Sequence, residues 1–135
     1  MTNQISRVSR RAAARAARVQ VLVTADESSL LDLQLLAATL PLCATGRVFI
    51  EVSDASQIAP IDLPPRMTVT WLDRSESGAE AGELATRAAH AWATEMLCDA
   101  DHTNRVYLLN SASAPRLQRH LTIGLNLGAD RIHTR

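Results

Sequence analysis

Residues 19–55, VQVLVTADESSLLDLQLLAATLPLCATGRVFIEVSDA, constrain this chain more than any other stretch. The segment opens with VQVLVT and closes with RVFIEV, short β-branched and apolar runs of the kind buried in parallel sheets. Between them, Asp26 is placed to cap a helix carrying Leu30, Leu33, Leu36, Ala37 and Leu40 at helical spacing, stopped by Pro41. Strand, helix, strand is a βαβ unit, and sheets built from it bind ligands at the carboxyl ends of their strands. TADESS, EVSDAS, WLDRS and LLNSAS are the segments this places at such an edge.

The rest of the chain continues the alternation. SDASQIAPIDLPPR contains Pro60, Pro64 and Pro65, which forbid a regular helical crossover. MTVTWL (67–72) reads as a third strand and RVYLLN (105–110) as a fourth. GELATRAAHAWATEMLCDA between them reads as a long helix with Leu84, Ala88, Ala91, Trp92, Glu95 and Met96 on one stripe. SAPRLQRHLTIGL is a final helix, and RIHTR begins a fifth strand. The expected fold is therefore α/β: a three-layer, Rossmann-like parallel sheet of four to five strands.

At 135 residues there is room for one such domain, residues 19–135, preceded by a basic helical arm at 1–18. The arm holds five arginines and no acid, with Arg7, Arg11, Arg15 and Arg18 on one face. The body is mildly acidic, which argues against nucleic acid as a partner. All 14 basic residues are arginine. The absence of lysine excludes a P-loop, a Schiff base and any other amine chemistry. Cys43 and Cys98 form no CxxC and are expected as thiols in a reducing cytoplasm. No run reaches membrane-spanning length. His90, His102, His120 and His133 lack zinc-ligand spacing, so no metal site is expected.

Each candidate site residue has two readings. Ser28 and Ser29 can donate to a phosphate at a helix N-terminus, but Asp26 and Glu27 repel one. Alternatively, Asp26 caps the helix and Glu27 complements its dipole. Arg74, just past the third strand, can clamp a 2′-phosphate, or it pairs on the surface with Asp73 or Glu76. Asn110, Ser111 and Ser113 either face a ligand at the sheet edge or cap the helix that follows. GxGxxG and GxSxG are both absent.

Three runs together carry a family resemblance: VLVTADESSLLDLQLLAATLP, GRVFIEVSDASQIAPIDLPPRMTVTWLDR and RLQRHL. They resemble the C-terminal domain of siderophore-interacting proteins, flavin-dependent ferric-siderophore reductases related to ferredoxin–NADP reductases. The matching positions are Asp26 and Glu27, Glu51, Val52 and Asp54, Val69 to Leu72 with Arg74, and Leu117 to Leu121. The resemblance implies a reduced-nicotinamide domain. In it the pyrophosphate of NADPH approaches Ala25, Asp26, Glu27, Ser28 and Ser29, Arg74 reads the 2′-phosphate, and Asn110 and Ser111 sit beside them. Family members carry an N-terminal flavin barrel, for which this chain has no room, so FAD is not expected to bind. The family's first-turn glycine is Ala25 here, and its Ala-Gly-Glu after the fourth strand is Leu108, Leu109 and Asn110. Leu109 puts a side chain where a nicotinamide needs close backbone approach. The sequence therefore points to a stand-alone cytoplasmic domain with a weak or lost NADPH site, accessory to or a relic of ferric-siderophore reduction. No residue is assigned a catalytic role, and a flavoprotein or reductase is the implied partner. The alternative is a non-catalytic interaction module that forms a homodimer or docks a protein and binds no nucleotide.

Overall fold

The computed structural model describes residues 19–97 and 103–134. The arm at 1–18, Cys98 and His102 lie outside the described residues. Among the described residues there are five strands and three α-helices: β1 (Val19–Asp26), α1 (Leu30–Thr39), β2 (Thr45–Val52), β3 (Arg66–Asp73), α2 (Glu83–Met96), β4 (Thr103–Leu108), α3 (Ala114–Arg119) and β5 (Ile132–Thr134). The strands form one sheet in the order β3-β2-β1-β4-β5, and every pairing is parallel. This is the expected three-layer Rossmann-like sheet.

The order follows from the handedness of crossovers. The chain steps outward from β1 through β2 to β3, then returns past β1 to β4 and β5. Right-handed connections in opposite directions place their covering elements on opposite faces. On one face Leu33 of α1 and Leu40 just after it pack with Val21, Val23, Val48, Ile50 and Val52, and Ala37 of α1 is also buried. The β2–β3 connection carries no α-helix, as its prolines require. It makes one 3₁₀ turn, Ala55–Gln57, and lays Ile61 and Leu63 on the same face. On the other face α2 and α3 cover Leu22, Phe49, Val106 and Leu108.

The buried stripe of α2 is displaced from the sequence reading. Ala85, Ala89, Ala93 and Leu97 face the sheet at intervals of four, while Glu95 and Met96 are exposed and Leu84, Ala88 and Trp92 sit half-buried at the flanks. Alanine at the contact lets the helix axis approach the sheet closely, and the larger side chains cover the margins. Weighting the stripe by residue size therefore rotated it by one position. The start of α1 also differs. Its boundary residue is Ser29, not Asp26, which is the last residue of β1.

Gly46 is paired with Val21 at the start of β2, with φ +144°. A Cβ there would overlap the Val21 carbonyl oxygen. Gly46→Ala therefore adds both a backbone clash and dihedral strain. A loss of roughly 2–4 kcal/mol in urea unfolding is expected. A loss under about 0.5 kcal/mol, the range of an ordinary surface change, would show that this strand entry is not tightly constrained.

Candidate functional site

Strand order reverses between β1 and β4, so the turns after these strands flank the switch point of the sheet. At this edge the segments after β3 and β4 and the start of α2 converge on one acid at the end of β2. Glu51, the next-to-last residue of β2, is fully buried. A carboxylate in that position requires partners, because burying it bare costs several kcal/mol. Both its oxygens accept the Gly82 N–H at 3.0 Å. Oε2 also accepts from the Ala85 N–H at 3.4 Å and from Asn110 Nδ2 at 3.3 Å. Oε1 lies 3.4 Å from Arg74 Nη1. The carboxylate thus occupies the N-terminal end of α2, where unpaired N–H groups and the helix dipole favour an anion. Gly82 makes this approach feasible. It has φ +89°, and a Cβ would stand 2.7 Å from the Ala112 carbonyl carbon.

Arg74 follows β3 and is anchored by its own N–H, which donates to the Val52 carbonyl at 3.0 Å. Its guanidinium bridges two acids, with Nη2 at 3.0 Å from Glu27 Oε1 and Nη1 reaching Glu51. Burial works against the charge, and the Glu27 and Glu51 carboxylates outweigh it, so the guanidinium pKa is held above its ordinary value. The surface pairing with Asp73 or Glu76 does not form. Asp73 instead accepts from the Ser75 N–H at 2.8 Å and the Ser75 hydroxyl at 2.7 Å. The difference is one of reach: the arginine just past β3 meets carboxylates from the ends of β2 and β1 rather than those of its own loop.

The first turn is closed on itself. Asp26 Oδ1 accepts from the Ser28 N–H at 3.0 Å, the Ser28 hydroxyl at 2.7 Å and the Ser29 hydroxyl at 3.1 Å. The buried Ser29 oxygen accepts the Asp26 N–H at 2.9 Å, and the Ser29 N–H donates to the Asp26 carbonyl at 3.1 Å. Asp26 therefore orders the turn from three residues before the helix instead of capping it. Glu27 turns away from the helix to meet Arg74. Ala25 is a strand residue with its methyl in the core. The EVSDAS segment is likewise internally satisfied. Asp54 accepts the Ser56 N–H at 2.9 Å, and the Ser56 hydroxyl and backbone bonds hold its carboxyl below the ordinary value.

After β4, the Leu109 and Asn110 N–H groups both donate to the Thr24 carbonyl, at 2.8 and 3.1 Å. This stitches the two sides of the switch point together. Asn110 is buried and joins the Glu51 cluster, whereas Ser111 is exposed on the turn and is not hydrogen-bonded to it. Leu109 packs half-buried against the α1-side core. Ser113 is buried, with its hydroxyl donating to the Asn110 carbonyl at 3.2 Å.

The structure thus brings Glu27, Arg74 and Asn110 together and adds Glu51 and Gly82, which the site reading did not include. An acid inside the apolar run VFIEV was the available signal, since a strand interior does not keep a carboxylate without a counter-charge. Glu27 and Glu51 set two carboxylates against the Arg74 guanidinium. Donors of the turn that could meet a pyrophosphate, the Ser28 and Ser29 N–H groups, are spent on Asp26. Among the described residues, no group of three or more His, Cys, Asp or Glu side chains could hold a metal ion. No described helix is long and apolar enough to cross a membrane.

The sequence matches the family model for siderophore-interacting proteins over residues 18–134. The chain belongs to the siderophore-interacting protein family. No curated protein matches it. Its fold is similar to a siderophore utilization protein from T. fusca, with a TM-score of 0.66 and 24% identity over 85% of this chain and 42% of that one. It is also similar to the siderophore-interacting protein SipS from Aeromonas hydrophila, with a TM-score of 0.63 and 17% identity over 84% and 48% of the two chains. A third likeness is the siderophore-interacting protein from Acinetobacter baumannii, with a TM-score of 0.64 and 14% identity over 87% and 44%. The chain spans less than half the length of each of these structures.

Replacing Glu51 by glutamine keeps its size but removes its charge and one acceptor. The Gly82 N–H and Arg74 then lose part of their partner. Glu51→Gln is expected to lower unfolding stability by about 2–4 kcal/mol. Denaturant unfolding checks this, and an unchanged midpoint would show that the buried charge does not hold the edge together.

Proposed function

We propose that this chain is the nucleotide-domain counterpart of ferric-siderophore reductases and acts as an accessory to, or relic of, that chemistry. The observation that carries this reading is the commitment of Arg74 to Glu27 and Glu51. A 2′-phosphate must compete with two carboxylates for one guanidinium. Such competition leaves NADPH weakly held. On this reading Ala25, Asp26, Glu27, Ser28, Ser29, Asn110 and Ser111 frame the edge without supplying a strong dinucleotide cradle. Hydride donors move electrons in pairs and Fe(III) accepts one, so a flavin must divide the pair when reduction occurs. That group belongs to a flavoprotein or reductase partner in this proposal, and the setting is a bacterial cytoplasm.

Exposed Leu31, Leu35 and Leu42 on and just after α1 favour a second reading, a protein-interaction or dimerisation module. Sedimentation separates the two, because the second requires association in the absence of any nucleotide.

The test of the first reading is anaerobic iron release from a ferric siderophore, followed with a ferrous chelator. With NADPH and this protein alone, no release above the protein-free rate is expected. NADPH-dependent release without an added flavoprotein would make the chain a reductase in its own right and overturn the proposal.

A further inference from the structure

A second polar cluster lies away from the sheet edge, where α2 and α3 meet. His90 on α2 and His120, directly after α3, stack with ring centroids 3.5 Å apart and planes 22° from parallel. Thr94 donates its hydroxyl proton to the His90 carbonyl at 2.8 Å, so its oxygen accepts from His120 Nε2 at 3.0 Å. Gly124 closes the other side, since a Cβ there would stand 2.9 Å from His120 Nδ1. The His120 ring is therefore fixed by a stack, a hydrogen bond and a steric wall. Burial, and then the neighbouring His90, hold its pKa below the ordinary imidazole value.

Arg116 and Arg119 rise from the same side of α3, three residues apart. With Pro115, His90 and His120 they line a surface hollow of about 370 Å³. No carboxylate lines this hollow. Arg116 also borders an adjoining hollow that holds Glu80 and Glu83; Glu83 is engaged by Arg87 at 3.2 Å and accepts the Glu80 N–H at 3.1 Å. Among the described residues neither Arg116 nor Arg119 forms an ion pair. At the strand edge, by contrast, Arg74 is already met by two acids.

We propose that the α2–α3 hollow binds a compact oxyanion, a phosphate or phosphomonoester group. Two guanidiniums offer forked N–H donors to such a group, and the His90 ring offers a further N–H. Two fixed positive charges suit a dianion better than a monocarboxylate. Pro115 and the imidazole faces provide an apolar wall for whatever carries the phosphate. The site shares no residue with the Arg74 cluster, so it stands whether or not NADPH binds there.

The probe is inorganic phosphate, titrated against chloride at matched ionic strength, with the imidazole resonances of His90 and His120 followed by NMR. Both should shift saturably in the wild type. In Arg116→Ala/Arg119→Ala, a change at two exposed positions, affinity should fall about tenfold or more, the scale of losing charge-assisted contacts. His90→Ala should weaken binding while leaving the His120 shift measurable. A nucleoside monophosphate in a parallel titration separates the sources. Equal affinity assigns a free phosphate, and tighter binding assigns the phosphate end of a larger ligand. Resonances that do not move, or that move equally in the double variant, would overturn the proposal.

Discussion

One buried carboxylate organises the carboxyl edge of this sheet. Glu51 sits at the end of a central strand with no exposure to water, and its charge must be answered from within the protein. The answers come from three places in the sequence: the start of α2 at Gly82 and Ala85, the turn after β4 at Asn110, and Arg74 after β3. Each of these segments is set in place by meeting the same two oxygens. The closeness of α2 to the β4 turn, and so the need for glycine at position 82, follows from that demand.

The same arrangement restricts what the edge can bind. Arg74 serves both Glu51 and Glu27, and the first turn directs its own amides onto Asp26. A Rossmann-like sheet ordinarily leaves donors open at its switch point. Here they are used to satisfy the fold. Guanidiniums that form no ion pair among the described residues lie instead at Arg116 and Arg119, beside the stacked histidines. The chain therefore separates positive charge committed to the fold from positive charge left in no ion pair among the described residues, which is the physical basis for the proposal that NADPH is weakly held.

Most of the architecture was legible in the sequence because it rests on local periodicity. The β-branched runs, the leucines of α1 and the prolines after β2 each specify one element, and those elements alternate. The face of α2 was less legible. Its sheet contact is made by alanines, whose small size is what close packing needs and what a search for large apolar residues overlooks. The site divided along similar lines. Arg74 and Asn110 were visible as polar residues at strand ends, but their partners lie 23 and 59 positions from them along the chain. Pairings across that separation depend on strand order, which no local pattern encodes. Ser29 in place of Asp26 at the start of α1 is a smaller case, in which the acid orders the turn rather than the helix.

The commitment of Arg74 to acid is tested most directly by releasing it. Glu27→Gln removes one of its two partners and one of the charges that repel phosphate, at a position that is only partly buried. Calorimetric titration with NADPH should then show binding at least about fivefold tighter than in the wild type, a modest fraction of what a freed guanidinium–phosphate contact supplies. Tight NADPH binding by the wild type, unchanged or weakened by Glu27→Gln, would contradict the view that the edge is closed by its own charges.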